Sequence, residues 1–214
     1  MKSIIVFDFD GVMVDTFNII YRLFHKWCPE MSEDDTRSLF EKNIFEALQD
    51  HSIIKSFFDF YKLRKELKKY TPQLFELPPI MGIAPILARV SKKYPLMIIS
   101  SSFTDLIEKY LKQHNLFDYF NCILGADKEK KKEIKIKQII DEHGISTDQI
   151  VFITDTLGDI KEMNQVGVKS IAVTWGFHSY KTLKKGNPFA IVNTTQDLEN
   201  CLNTFFLKTK NTPD

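Results

Sequence analysis

Four aspartates, three serines and a run of lysines carry most of the chemistry open to this chain, in four separate stretches. Asp8 and Asp10 follow the apolar run Ile4-Ile5-Val6-Phe7 and precede Gly11. Two residues apart in an extended segment, they face the same side. Close carboxylates repel unless a cation or a shared proton relieves them, which suggests a Mg²⁺ site with one carboxylate as nucleophile. Asp155 and Asp159 follow a second apolar run, Ile150 to Thr154. A turn opening into a helix brings residues four apart to one side. Ser100, Ser101 and Ser102 close the run Leu96 to Ile99 and precede a helical pattern. Hydroxyls and free amides at a helix start can hold phosphate oxygens. The fourth stretch is DKEKKKE, Asp127 to Glu133.

Each stretch also has a plainer reading. Asp8 and Asp10 could be acids of a solvated loop, Ser102 or Thr104 an N-cap, and Asp159 an N-cap for the helix through Met163. The lysine run reads mostly as solvated loop and helix entry.

The wording of the runs decides between these readings. DFDGVMVDT, Asp8 to Thr16, resembles the first motif of the haloacid dehalogenase superfamily. Ser100 takes the Ser/Thr position of the second motif. Asp155-Thr156-Leu157-Gly158-Asp159 resembles the fourth, with Thr154 where a glycine is often found. SIAVTWGFHS and FAIVNTTQDLENCL resemble phosphoglycolate-phosphatase-like members with a helical cap. The resemblance implies a Mg²⁺-dependent hydrolase of a small phosphate monoester that works through an aspartyl-phosphate. It makes Asp8 the nucleophile and Asp10 the acid/base. Ser100, Ser101 and Lys132 would bind the transferring group, with Ser100 and Lys132 counted among the catalytic residues. The metal would be held by Asp8, Asp155, Asp159 and the backbone carbonyl of Asp10. The family lysine starts the helix before Gly144; spacing back from that glycine selects Lys132, and counting as in Lys-Pro members selects Lys130. Should neither serve, Arg64 is the next cation. Asp10 separates phosphate-ester chemistry from the dehalogenases and phosphonate-cleaving members, which lack it. A phosphosugar mutase of the same superfamily, and a non-catalytic binding domain that kept the fold, are the alternatives.

The elements that must position these residues are buried strands and the helices between them. Ile4 to Phe7, Leu96 to Ser100, Asn121 to Leu124, Ile150 to Thr154 and Ser170 to Thr174 read as strands, and Ala190 to Val192 with a helix from Thr195 closes the chain. Continuous apolar runs of this kind belong to parallel sheets, whose carboxyl ends bind ligands. From Phe17 to about Tyr70 the period is helical instead: Ile20, Leu23, Phe24 and Trp27, then Leu39, Phe40, Ile44, Phe45 and Leu48, then a helix capped by Ser52 and carrying Ile53, Ile54, Phe57, Phe58, Tyr61 and Leu63. The expected fold is therefore α/β: a Rossmann-like parallel sheet, of order 5-4-1-2-3 by the resemblance, with an α-helical cap inserted after the first strand. Residues 1–16 and 78–214 would form the core and 17–77 the cap. His178 reads as a surface-loop histidine.

Composition bounds the partners. With 29 basic and 28 acidic residues the net charge is +1, which argues for neither nucleic acid nor an anionic membrane. Three scattered cysteines fit no disulfide framework and suggest a reducing compartment. No apolar run approaches a membrane span, and the first expected strand leaves no room for a cleavable signal. A cytoplasmic monomer or homodimer with a small phosphorylated metabolite as partner is expected.

Overall fold

Ile4–Phe7 has no polar side chain and no exposed surface, so its only stable place is the middle of a covered sheet. The structure, a computed structural model, describes residues 3–51 and 59–209, with side chains through 206. In it this strand, β1, lies between β2 (Leu96–Ile99) and β4 (Ile150–Thr154), parallel to both. β3 (Cys122–Leu124) lies outside β2, and β5 (Lys169–Val173) and β6 (Ala190–Val192) outside β4. The order β3-β2-β1-β4-β5-β6 is the expected 5-4-1-2-3 arrangement with one further strand at its edge.

Alternate residues of each strand feed two cores. Ile5, Phe7, Leu96, Ile98, Val151 and Ile153 pack on one face beneath α6 (Ile83–Val90), α7 (Thr104–Gln113) and α11 (Thr195–Thr209). Ile4, Val6, Met97, Ile99, Ile150 and Phe152 pack on the other beneath α8 (Lys132–His143) and α9 (Leu157–Gln165). Both faces are covered, which is why the strands read as unbroken apolar runs. Gly144 stops α8 in the left-handed region at φ +59°.

Between β1 and β2 stand α1 (Phe17–Trp27), α2 (Glu33–Leu39), α3 (Ile44–Asp50), α4 (Phe60–Lys69) and α5 (Thr71–Glu76). The first four share their own buried cluster, with Leu23, Phe24, Leu39, Phe45, Leu48 and Leu63 at its centre. α5 packs instead toward α7: Tyr110 donates to the Leu77 carbonyl at 3.0 Å and Gln113 to that of Phe75 at 2.8 Å. The amphipathic pattern running from Leu39 to Leu48 is broken into two helices. Asn43 accepts from the amides of Phe45 and Glu46 and so starts α3 afresh, while Ser32 and Asp35 form a capping box on α2. The helix expected to start at Ser52 lies largely outside the described residues; α4, capped by Asp59, carries Tyr61 and Leu63. A short α10 (Tyr180–Lys184) precedes β6.

Candidate active site

Buried strands 4–5 residues long can present polar groups only where they end, and the tips of β1, β2 and β4 end on the same edge. Asp8 sits just beyond β1 and is 5% exposed. Its Oδ1 accepts from the Phe9 amide at 2.7 Å. The chain then turns back at Gly11, φ +71°, so that the Gly11 amide reaches the Val14 carbonyl at 2.8 Å. Asp10 faces another wall. It accepts from Ser102 Oγ at 2.6 Å and Thr16 Oγ1 at 2.8 Å, with Ser100 Oγ at 3.4 Å.

Lys132 is the first residue of α8 and is almost fully buried. Its Nζ donates to Asp8 Oδ2 and to Asp159 Oδ2, each at 2.7 Å. Burial works against the ammonium charge, but the two carboxylates outweigh it and hold the group well above its ordinary range. Lys130, the other lysine weighed from the sequence, lies over the Phe60 ring, 4.6 Å from its centre. Asp159 also accepts from Thr154 Oγ1 at 2.6 Å. Burial works against its charge, yet Lys132 and Thr154 keep its carboxyl below the usual range. Asp8 is left the harder of the pair to ionise: burial raises it well above the usual range, and Asp159, Asp155 and Asp10 add to that against the pull of Lys132.

Asp155 is the exception in the cluster. Its Oδ2 accepts from the Phe177 amide at 2.7 Å, whereas Oδ1 is buried with no hydrogen-bond partner. Burial pushes this carboxyl up to about 7. Two glycines make room for it. A Cβ added at Gly11 would stand 1.9 Å from Asp155 Oδ2, and one at Gly176 would stand 2.3 Å from it. An orphaned, desolvated carboxylate oxygen beside Asp8 in one cavity suits a hard cation such as Mg²⁺, which takes oxygen ligands and keeps several waters. Among the described residues no three His, Cys, Asp or Glu side chains are gathered into a ready-made cage, so such an ion would draw on carbonyl oxygen and water as well.

The haloacid dehalogenase-like hydrolase profile matches residues 5–173. The chain belongs to that family. It is similar to the phosphoglycolate phosphatase of Synechococcus elongatus, 25% identical over 91% of this chain and 94% of the relative. The phosphoglycolate phosphatase of Aquifex aeolicus is 23% identical over 81% of this chain and 85% of its own length. A solved haloacid dehalogenase-like family hydrolase from Streptococcus pneumoniae superposes with a TM-score of 0.73 at 22% identity, covering 94% of this chain and 98% of that one, a likeness of fold. Among the described residues of this family member, no helix is long and apolar enough to cross a membrane.

Several sequence expectations change at the level of contacts. Ser100 is fully buried and turns its Oγ to the Ser102 amide at 3.0 Å, while Ser101 and Ser102 line the cavity. The residue preceding α7 is Phe103; neither Ser102 nor Thr104 caps that helix, whose first amide is taken by Asp127 Oδ1 at 2.7 Å. Asp159 is no N-cap either: Thr156 caps α9. His178 is not a surface residue but 4% exposed. It accepts from the Leu157 amide at Nδ1, 2.9 Å away, and its Nε2 lies 2.9 Å from the Arg37 carbonyl, tying the start of α9 to α2. Burial lowers its basicity, in keeping with a neutral ring. Arg64, the reserve cation, is engaged by Asp105 at 3.2 Å.

Three residues near the site, Glu162, Asn43 and Lys135, carry no motif. Glu162 accepts from the amide of Lys132 at 2.7 Å and from Asn43 Nδ2 at 2.9 Å, so it seats the start of α8 and anchors the α2–α3 loop. Burial and the Glu133 carboxyl push it up to about 8. Lys135 is fully buried and donates to the Ser100 carbonyl at 2.7 Å; burial and the neighbouring Lys132 charge bring it down to about 7. Spacing offered a faint signal for two of them. Glu162 follows Asp159, and Lys135 follows Lys132, by three residues, which puts each on its partner's helix face.

Proposed function

We propose that this hydrolase is a Mg²⁺-dependent phosphatase acting on a small phosphate monoester, with Asp8 as nucleophile. The observation that carries the reading is the cavity holding Asp8, Asp10, Lys132 and Asp155 together, with Lys132 shared between Asp8 and Asp159. The relatives named as phosphoglycolate phosphatases support the reaction class.

A phosphate monoester is a dianion, so its hydrolysis needs positive charge and a fixed line of attack. Asp8 and Asp155, with the Asp10 backbone carbonyl, would hold Mg²⁺; Asp159 lies beside them. Bound there, the ion supplies the charge that keeps Asp8 and Asp155 ionised and draws charge from the phosphoryl oxygens. An Asp8 carboxylate oxygen attacks phosphorus and the ester P–O bond breaks. Asp10 gives its proton to the leaving alkoxide. Asp10, now a carboxylate, takes a proton from water, which attacks the aspartyl-phosphate and releases inorganic phosphate with Asp8 restored. Ser102 and Thr16 hold the Asp10 carboxyl in one orientation for both steps. Lys132 and Ser101 bind the phosphoryl oxygens, Ser100 supports that edge from beneath through the Ser102 amide, and Asp159 and Glu162 position Lys132. Residues 17–77 act as the cap: the Phe40–Asn43 loop reaches the start of α9, where the Gly158 amide donates to the Phe40 carbonyl at 2.9 Å. A closed cap excludes water and orients the ester.

The test is an assay on purified protein with Mg²⁺. Asp8→Asn is expected to form no phosphoenzyme and to fall to background. Asp10→Asn is expected to slow turnover by about 10²–10⁴-fold, with breakdown of the phosphoenzyme impaired. Near-normal turnover by Asp8→Asn, or full activity after metal removal, would overturn the reading.

A further inference from the structure

The cavity that reaches Asp8, Asp10 and Lys132 does not end there. It runs on into the helical block, and its character changes abruptly. The far wall is made by Ile20, Leu23 and Phe24 of α1, Phe45 and Leu48 of α3, and Leu67 of α4. Carbon surface of this kind has nothing to offer a hydroxyl or a charge.

Among the described residues, the charged groups in reach are held by other contacts, Lys130 over the rings of Phe45 and Phe60 at 5.9 and 4.6 Å. Among the described residues, the cations lining the cavity are Lys132 and Lys42. Lys132 is held between Asp8 and Asp159, and Lys42 is paired with Asp50 at the surface. Arg37 is turned away: it donates to the Phe177 carbonyl at 2.6 Å and lies over the Phe17 ring at 3.5 Å. Arg64 is paired with Asp105, and Arg22 lines a separate cleft with Asp15 and Glu76. Among the described residues, the other ionisable groups lining the cavity are acids: Asp8, Asp10, Asp155 and Asp159 at the polar end, and Glu162. A second anion on the substrate would therefore meet carbon and a carboxyl group.

We propose that the ester taken by this site carries an uncharged, apolar alcohol, an alkyl or aryl-alkyl phosphate with no second anionic group. The inference rests on the phosphatase reading and narrows its substrate. It sets this chain apart from the carboxylate-bearing ester for which its relatives are named. Phosphate lies at the polar end, against Lys132 and the serines of the β2 tip. The alcohol's carbon chain lies along the half-buried Ile20 of α1 and Leu67 of α4, against the buried cluster that α1, α3 and α4 share. A polyhydroxylated sugar gains little there, because most of its hydroxyls would lose their water without finding a partner.

Steady-state kinetics of the full chain with Mg²⁺ test this, using ethyl, n-butyl and 2-phenylethyl phosphate against 2-phosphoglycolate and glucose 6-phosphate. The three alkyl leaving groups differ little in intrinsic reactivity. Their kcat/KM is expected to rise with apolar bulk, and 2-phenylethyl phosphate to exceed 2-phosphoglycolate by at least about ten-fold. Equal or better turnover of 2-phosphoglycolate or glucose 6-phosphate would overturn the substrate class and leave the phosphatase reading standing. No turnover of any ester would overturn both. Ile20→Lys and Leu67→Lys, at half-buried wall positions, add a cation on a flexible stem. In whichever variant keeps the wild-type circular dichroism spectrum, the preference for 2-phenylethyl phosphate over 2-phosphoglycolate is expected to shrink about ten-fold or more. An unchanged ratio in a folded variant would count against the inference. If neither folds, the substrate panel decides.

Discussion

The tips of β1 and β4 each carry two aspartates on the same edge of the sheet, and the protein treats them differently. At β1 both carboxylates are well served: Asp8 has the Phe9 amide and Lys132, and Asp10 has Ser102 and Thr16. At β4 only Asp159 is, by Lys132 and Thr154. Asp155, no less buried, has one amide for one oxygen and nothing for the other. Three carboxylates are thus held by donors the chain supplies, and the fourth is left with an unmet demand for positive charge. The difference identifies Asp155 as the place where the folded chain is least satisfied by itself.

The comparison breaks most visibly at Lys132, which serves both tips. Lys132→Met leaves Asp8 and Asp159 buried without a cation, and is expected to cost about 3–5 kcal/mol of stability in urea unfolding, along with the activity. Lys130→Met removes a cation from the face of Phe60 and is expected to cost about 1 kcal/mol or less. Equal losses would mean that the shared ion pair does not hold the two tips together.

Within the β4 tip the two aspartates are expected to answer substitution with opposite signs. Asp159, whose folded carboxyl is held below the usual range, contributes stability above its unfolded pKa, and that contribution is lost as pH falls through its folded value. Asp159→Asn is therefore destabilising near pH 8. Asp155, raised to about 7 by burial, penalises the folded state increasingly as pH rises from about 4 to about 7. In metal-free protein Asp155→Asn is expected to stabilise at pH 8, on the order of 1–3 kcal/mol, because an amide oxygen can still accept from Phe177 without carrying a buried charge. Thermal unfolding with and without Mg²⁺ checks both halves: wild type should gain from the ion and Asp155→Asn should not. Destabilisation by both variants would remove the distinction drawn here.

A further effect, read as a slope against pH, concerns Lys135, which serves the tip of β2 through the Ser100 carbonyl. Its folded pKa of about 7 lies below the ordinary lysine value of 10.5. The folded protein therefore binds fewer protons than the unfolded chain between those two values, and stability rises with pH across that window by at most about 1.4 kcal/mol per unit. Lys135→Met should flatten that rise between pH 7 and 10, in unfolding curves compared with wild type. A slope unchanged by the substitution would show that Lys135 keeps its proton when folded.

Much of this was legible in the residue order. A strand buried on both faces must be apolar throughout, so β1, β2 and β4 announce themselves, and the first polar residues after each mark the edge where ligands bind. Asp8, the serines and Asp155 stand at those strand ends, whereas the motif wording was needed to single out Asp10 and Asp159 and to narrow the lysine run to Lys130 or Lys132. Local rules also carried the Ser32 capping box and the Gly144 stop. What folding in three dimensions decided was partnership. Lys132 and Lys130 differ by two positions in sequence, but only Lys132 enters the first turn of α8 on the side facing the sheet. His178 reads as a loop residue until α2 and α9 close around it, and Asp155 is unremarkable until Gly11 and Gly176 wall it in. Those contacts join segments far apart in the chain. Strand order and loop path bring them together, and a residue's own neighbours carry no record of either.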